Sequence, residues 1–483
     1  MSLTKYFLLS VVLLTILNSC EDDFYANDSS PLAFSVDTLT FDTVFTTLGS
    51  ATSRILVYNR GRSEITIDEL RLAGGSASAF RINVSGRRDT EHHFNNITIR
   101  ARDSMFIFVE VTIDPKNSNT PVLQEDSIMF VHGNKTQRVL LEAFGQDMIL
   151  MNEKTILNDT TLTGDKPYLI YGYLEVDSAK TLTLAAGARL FFHHNANLII
   201  RGNLIVDGTL NKPVEMRGSR MDKIMYTTPV PYHHVAGQWG GVFLLSKTAN
   251  HKINHLILSS GQVGLYFYNT DRRFKPSLEI HNSRIHNFLF YNLVVVNGDL
   301  LVTNSEISNS AEYTVYLNGG NHRFVHCTVV NYFGAGPRQP TFRSHHPAVM
   351  LMDLNRSLNT RTVFQNSVIA GTRANELTIA TRYPRQFRAY FVNSYIRKNQ
   401  SDSLAGNFIN VRVFQFGDTI FKNARNNFLE NLYFDFRPDS ISPLRGLADP
   451  DIAAEFPIDL KGRNRLTDGK PDAGAYEWFP VKE

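Results

Sequence analysis

Ile280-His281-Asn282-Ser283-Arg284-Ile285 returns 22 residues later as Val302-Thr303-Asn304-Ser305-Glu306-Ile307, and after 22 more as Phe324-Val325-His326-Cys327-Thr328-Val329. This repetition, inside the stretch 278–331, decides the fold. Asn287, Asn309 and Asn331 form a second column in the same phase. A fixed period of this length, with alternating apolar residues and no helical pattern, is the mark of a solenoid of stacked strands. Such strands serve enzymes and binders alike, so the period sets an architecture and leaves function to the irregular parts of the chain.

The phrase continues at Gln365-Asn366-Ser367-Val368-Ile369 and Val392-Asn393-Ser394-Tyr395-Ile396, with a looser copy at Ile253-Asn254-His255-Leu256-Ile257. Between copies runs a second strand class: Val242 to Leu245, Leu265-Tyr266-Phe267, Leu293 to Val296, Thr314 to Leu317 and Ala348 to Leu351. Each coil therefore contributes at least two strands and two turns. Stacked asparagine amides at one turn can bond from coil to coil and satisfy turn backbone groups. Ser283, Ser305, Cys327, Ser367 and Ser394 form a further row, in which Cys327 reads as a small buried residue and not as a nucleophile.

The 483 residues are enough for two or more domains, and a hydrophobic content of 43% suits folded cores. Abundant Phe (33) and Tyr (19) favour β structure. A net charge of +3 gives a nucleic-acid partner no global electrostatic support. The two cysteines, Cys20 and Cys327, offer no zinc-binding or paired pattern, so no metal or cofactor is expected.

Lys5 precedes an apolar run from Phe7 to Leu17, which stops at Leu17-Asn18-Ser19-Cys20. This resembles the signal peptide (residues 1–20) and lipobox of a bacterial lipoprotein, and the resemblance implies that Cys20 is acylated and held in the outer membrane. Glu21-Asp22-Asp23 resembles the acidic signal that some gram-negative lineages use to send lipoproteins to the cell exterior. After a linker (21–33), residues 34–147 show roughly seven short alternating runs, such as Arg54 to Tyr58 and Met105 to Val111, which suit a β-sandwich. Asn59-Arg60-Gly61, Phe80-Arg81-Ile82 and Leu141 to Gly145 resemble immunoglobulin-like domains of surface-anchored bacterial modules, which act mostly as spacers or interaction platforms.

Beyond residue 150 glycine-punctuated strands follow one another: Gly172 to Val176, Thr181 to Leu184, Gly187 to Phe192, Asn197 to Ile200 and Gly202 to Gly208. Together with the 22-residue repeat, residues 150–480 resemble right-handed parallel β-helix proteins of the pectin-lyase-like class. The expected fold is all-β: an N-terminal immunoglobulin-like β-sandwich followed by a right-handed parallel β-helix solenoid, in a monomeric chain. The closing segment Arg463 to Trp478 is similar to one common in bacterial β-helix proteins. Asp472, Tyr476 and Glu477 are therefore expected to cap an open solenoid end.

Two lengthened turns stand out, Gly218 to Gln238 and Gly334 to Pro347, and both precede a strand of the second class. They should leave the same edge of the solenoid four coil steps apart, ~19 Å at about 4.8 Å per step. The groove between them is expected to bind polysaccharide through Tyr232, His233, His234, Trp239, Arg338, Arg343, His345, His346 and Arg373, by ring stacking and by Arg/His contacts to acidic or hydroxyl groups. For Trp239-Gly240-Gly241 the alternative is close coil packing.

The resemblance also implies catalytic alternatives: a lyase with an Arg or Lys base and calcium held by carboxylates, or a hydrolase with two carboxylic acids. Either needs several carboxylates on one face. Glu279 and Glu306 fall in different registers, and Asp271, Asp299 and Asp353 fall near a turn. The leading expectation is accordingly a surface lipoprotein that binds polysaccharide or another extracellular partner without catalysis. A polysaccharide lyase or glycoside hydrolase acting on an acidic polysaccharide, and a structural cell-surface protein, are the competitors.

Overall fold

The computed structural model describes residues 32–88, 92–224, 230–269, 271, 273–333, 346–353, 360–382, 387–398, 407–415, 417–424 and 434–480. Cys20 and the proposed leader, with Arg338, Arg343 and His345, lie outside the described residues. The chain divides after Asp147 into two compact units.

In the first unit ten described strands form two five-stranded sheets. One runs Leu32–Phe34, Ser53–Asn59, Ser104–Val111, Phe80–Val84, Arg87–Arg88; the other runs Thr38–Phe45, Lys135–Gln146, Val122–His132, Ile65–Leu72, His93–Ile99. Strand residues alternate between faces, so Met105, Ile107, Val109 and Val111 point inward from one strand. They join Val57, Ile67, Phe130 and Leu141 in a core fed by both sheets. The ten strands exceed the seven or so read from sequence because Leu32–Phe34 and Arg87–Arg88 are too short to display a period.

The second unit is built of long all-parallel ladders, which fit a β-helix. A regular coil holds three strands: Ser277–His281, Arg284–Phe288 and Tyr291–Val296, before Asp299–Thr303 starts the next. We call the three resulting surfaces faces A, B and C in that order. The five strands of the second class all fall on face C. The repeated phrase, by contrast, is not one strand: Ile280-His281 ends face A, and Arg284-Ile285 begins face B. Between them the backbone turns through the left-handed region, with φ of 51° at Asn282, 46° at Asn304, 52° at His326, 51° at Asn366 and 47° at Asn393. Asn tolerates this region better than most L residues, which explains the column.

The serine row sits one residue later and ties coil to coil. Ser305 Oγ accepts the Ser283 N–H (3.1 Å), Ser367 Oγ accepts that of Cys327 (3.1 Å) and Ser394 Oγ that of Ser367 (3.1 Å). Each hydroxyl also donates to the carbonyl two residues back, as Ser305 does to Thr303 (2.7 Å). Cys327 keeps the pattern, its Sγ lying 3.4 Å from the Val325 and Val302 carbonyls, and burial pushes its thiol up to about 12. Inside the coils, Phe324, Phe364 and Phe391 stack as a ladder, with centroids 4.4 and 5.5 Å apart. Each buried ring contributes about 1.5–3 kcal/mol over its exposed state.

Asn309 and Asn331 bond at the face B to face C corner: Asn309 Oδ1 accepts from Tyr332 N (2.9 Å), and Asn331 Nδ2 donates to the Ser310 carbonyl (2.9 Å). One coil on, Glu376 takes this role, its carboxylate accepting the Ala348 N–H (2.8 Å) and the Arg373 N–H (2.6 Å).

The closing segment departs from the expected end cap. It packs along the side of the solenoid: Ala475 N donates to Thr328 Oγ1 (2.9 Å), Arg465 to Asn304 Oδ1 (3.1 Å), and Asp449 exchanges two bonds with the Asn366 amide (2.9 and 3.1 Å). The reason is the outward side of face B, where Val330, Val368, Ala370 and Tyr395 are apolar and need cover. Phe436, Leu444, Ala473, Ala475 and Tyr476 supply it in a separate core.

Candidate functional site

Both insertions leave the corner between faces B and C, the first between Val214–Gly218 and Gly241–Leu244, the second between Thr328–Asn331 and Val349–Asp353. Four coil steps separate them, as the spacing implied. Between and beside them the outward positions of face C carry rings on successive coils. Register places Phe243 beside Tyr266, and Val294 beside Tyr316. Tyr291 and Tyr313 lie at the corner itself, stacked nearly parallel with centroids 6.3 Å apart. Tyr316 is 6.0 Å from Tyr313, and Tyr268 is 5.6 Å from Tyr266. His346 closes the row against Tyr313 at 4.6 Å, and its Nε2 meets Glu312 Oε2 at 2.8 Å.

The rings are only partly buried, with Tyr268 37% exposed, so the patch offers flat apolar faces edged by hydroxyls. Burial raises the phenol pKa of Tyr266, Tyr291, Tyr313 and Tyr316, and the Glu312 carboxylate adds to this at Tyr291 and Tyr313. All four stay protonated at neutral pH and keep an O–H to donate.

The other sequence-derived candidates divide. Trp239 is fully buried: its ring stacks on Phe192 at 4.2 Å and its indole N–H donates to the Ser259 carbonyl (2.9 Å). It packs the coil interior, and its surface is not available to a groove. The adjacent glycines are there for close approach, since a Cβ on Gly241 would sit 2.3 Å from the Val263 carbonyl oxygen. Tyr232 lies under the Arg220 guanidinium at 3.5 Å. His233 and His234, in contact with each other at 4.2 Å, fold over face B instead of face C. Arg373 is exposed near Glu376 at the corner. Among the described residues, the histidines of the first insertion thus lie over face B, beside a charged cluster, while the tyrosine patch lies on face C.

On face B, Arg284 and His286 project outward from one strand, beside Glu306 and Ser308 of the next coil. Glu306 is almost fully buried: it accepts from Ser308 Oγ (2.7 Å) and from the Tyr476 hydroxyl, and lies 3.7 Å from Arg284 Nε. Burial and the Arg284 charge hold His286 well below the ordinary imidazole range. Burial, His233 and then Arg284 push His234 down to about 3. Glu306 and Tyr476 are 170 positions apart, so no local spacing could have joined them. The tyrosines were more legible, because Tyr266 and Tyr316 occupy outward positions of strands already recognisable in the sequence.

No protein-family model matches the chain, and no curated protein matches it. Among solved structures it is similar to a family 123 glycoside hydrolase from Clostridium perfringens, at 11% identity and a TM-score of 0.18, over 24% of this chain and 25% of that one. An ASH/PapD-like domain of human CEP192 matches at 11% identity and a TM-score of 0.17, over 27% of this chain and 96% of the domain. A protein of unknown function from Porphyromonas gingivalis matches at 12% identity and a TM-score of 0.18, over 27% of this chain and 61% of that one. The chain thus spans about a quarter of the glycoside hydrolase.

Proposed function

We propose that this protein is a surface lipoprotein that binds polysaccharide, without catalysis, on the tyrosine patch of face C. The supporting observation is the run of partly exposed rings, Tyr266, Tyr268, Tyr291, Tyr313 and Tyr316, on consecutive coils. With coils about 4.8 Å apart, the patch repeats on the scale of a sugar unit. Aromatic faces pack against the C–H faces of pyranose rings while phenol hydroxyls and the Glu312–His346 pair bond to sugar hydroxyls. In this reading the β-helix is right-handed and pectin-lyase-like, the first unit is an immunoglobulin-like spacer, and acylated Cys20 with Glu21-Asp22-Asp23 holds the chain on the cell exterior.

Affinity electrophoresis against a panel of neutral and acidic polysaccharides tests the binding. Retardation by at least one polymer is expected, and migration unchanged in all of them removes the proposal. Release of unsaturated uronides or reducing ends from a retarding polymer would replace the non-catalytic part with the lyase or hydrolase reading. Protease shaving of intact cells tests the location, and full resistance in the presence of exposed control proteins contradicts it.

A further inference from the structure

A cleft of about 430 Å³ lies where face A meets the closing segment. That volume falls within the ~300–1,000 Å³ of small-ligand sites. Its floor is made of outward side chains on consecutive coils, in two rows. In the first row Ile205 lies beside Lys252 and Lys252 beside Glu279; in the second Asp207 lies beside Asn254 and Asn254 beside His281. With coils about 4.8 Å apart, the rows form a polar grid. Half-buried Phe456, from the closing segment, lines the same cleft and walls it. The helix Pro450–Glu455 that carries this ring is held at both ends: its cap Asp449 exchanges two bonds with Asn366, and Glu455 pairs with Arg323 of face A at 3.4 Å.

Most of the floor's hydrogen-bonding capacity is unspent. Among the described residues the Asp207 carboxylate and the Lys252 ammonium have no hydrogen bond or ion pair. Asn254 Oδ1 accepts from Asn282 Nδ2 (2.9 Å), which leaves its own amide N–H groups to give. Glu279 meets only His281 Nε2, at 3.6 Å, and both its oxygens can still accept. One ammonium between two carboxylates leaves little net charge, so the grid favours an uncharged ligand that both donates and accepts. Pyranose hydroxyls do both, and the Phe456 ring and Ile205 offer apolar surface to the C–H face of the sugar. We propose that Asp207, Lys252, Asn254 and Glu279, walled by Phe456, form a binding site for a neutral saccharide of one or two pyranose units. The site is separate from the tyrosine patch and does not rest on the reading of that patch.

Ligand-observed NMR titrations of the full chain with glucose, galactose, mannose, cellobiose, maltose and lactose test it, beside glucuronate and glucosamine as charged probes. They are made in the Tyr313→Ala/Tyr316→Ala background as well as in the unmodified chain, so that failure here and failure of the tyrosine reading are separate results. Saturable binding of at least one neutral sugar is expected in both backgrounds. Asp207→Ala should weaken it about 10-fold and Phe456→Ala about 5-fold. Asp207 is exposed, so its variant folds even if loss of the Phe456 ring loosens the closing segment. No saturable binding in the tyrosine background, or equal affinity with and without Asp207→Ala, overturns the site. Glucuronate or glucosamine binding more tightly than every neutral sugar overturns the ligand class.

Discussion

The Tyr476 hydroxyl donates to Oε2 of Glu306, joining the last stretch of the chain to a coil 170 residues earlier. Glu306 is 3% exposed, so its charge has no water to fall back on. Removing the donor with Tyr476→Phe leaves a buried carboxylate short of one charge-assisted bond, a loss of about 1.5–3 kcal/mol. Amides around 472–478 should then exchange roughly 10- to 150-fold faster, with the strand amides of face A unchanged. Equal protection in both proteins would mean that the closing segment is held by its apolar contacts alone.

Asn366 serves both as a left-handed corner, at φ 51°, and as the amide that grips Asp449. Asn366→Gly keeps the backbone freedom and loses these two bonds together with the one between Nδ2 and His326 Nε2 (3.0 Å), which should cost ~1.5–4.5 kcal/mol. Asn366→Ala adds the steric penalty of a Cβ in that region, about 1–2 kcal/mol more. Urea denaturation should rank wild type above Gly and Gly above Ala. An alanine variant as stable as the glycine variant contradicts the corner argument.

Cys327 stands in a serine row, so Cys327→Ser should change stability by less than about 1.5 kcal/mol. With the thiol fully buried and pushed up to about 12, iodoacetamide should leave native protein unlabelled at pH 8 and label it fully in urea. Rapid native labelling would reopen the nucleophile reading.

Two sets of groups pull stability in opposite directions with pH. Burial lowers His251 and His322 to about 4, so the unfolded chain binds their protons first. Their contribution is present above about pH 6.5 and is lost as pH falls toward 4, on the order of 3 kcal/mol each at most. Glu477 is raised to about 8, by burial and then by Asp472, and its contribution is present below about pH 4.5 and lost as pH rises through 8. Limited proteolysis should therefore release the closing segment first at pH 9, whereas melting of the whole solenoid should drop between pH 6.5 and 4. Release of the segment on the acid side alone would contradict this assignment.

Much of the solenoid could be read from residue spacing, because a coil repeats its inward residues and its corner asparagines at one interval. The serine row and the edge from which both insertions leave were legible for the same reason. Three things were not. The Asn-Ser phrase reads as a strand although it turns a corner, since left-handed φ leaves no mark in an apolar pattern. Trp239 could line a groove or pack between coils, because sequence does not reveal which face of a coil a ring occupies; its burial against Phe192 decides for packing. The closing segment resembles an end cap, whereas the apolar outer side of face B, Val330 to Tyr395, draws it along the flank.

The central claim is that the face C tyrosines bind glycan, and Tyr313 and Tyr316 lie at its middle. The most direct measurement is the affinity of wild type and of the Tyr313→Ala/Tyr316→Ala variant for the polysaccharide that most retards the protein, with circular dichroism confirming equal folding. Loss of two stacking rings at about 1 kcal/mol or more each should weaken binding roughly 10- to 100-fold. Equal affinity in the two proteins would contradict the claim.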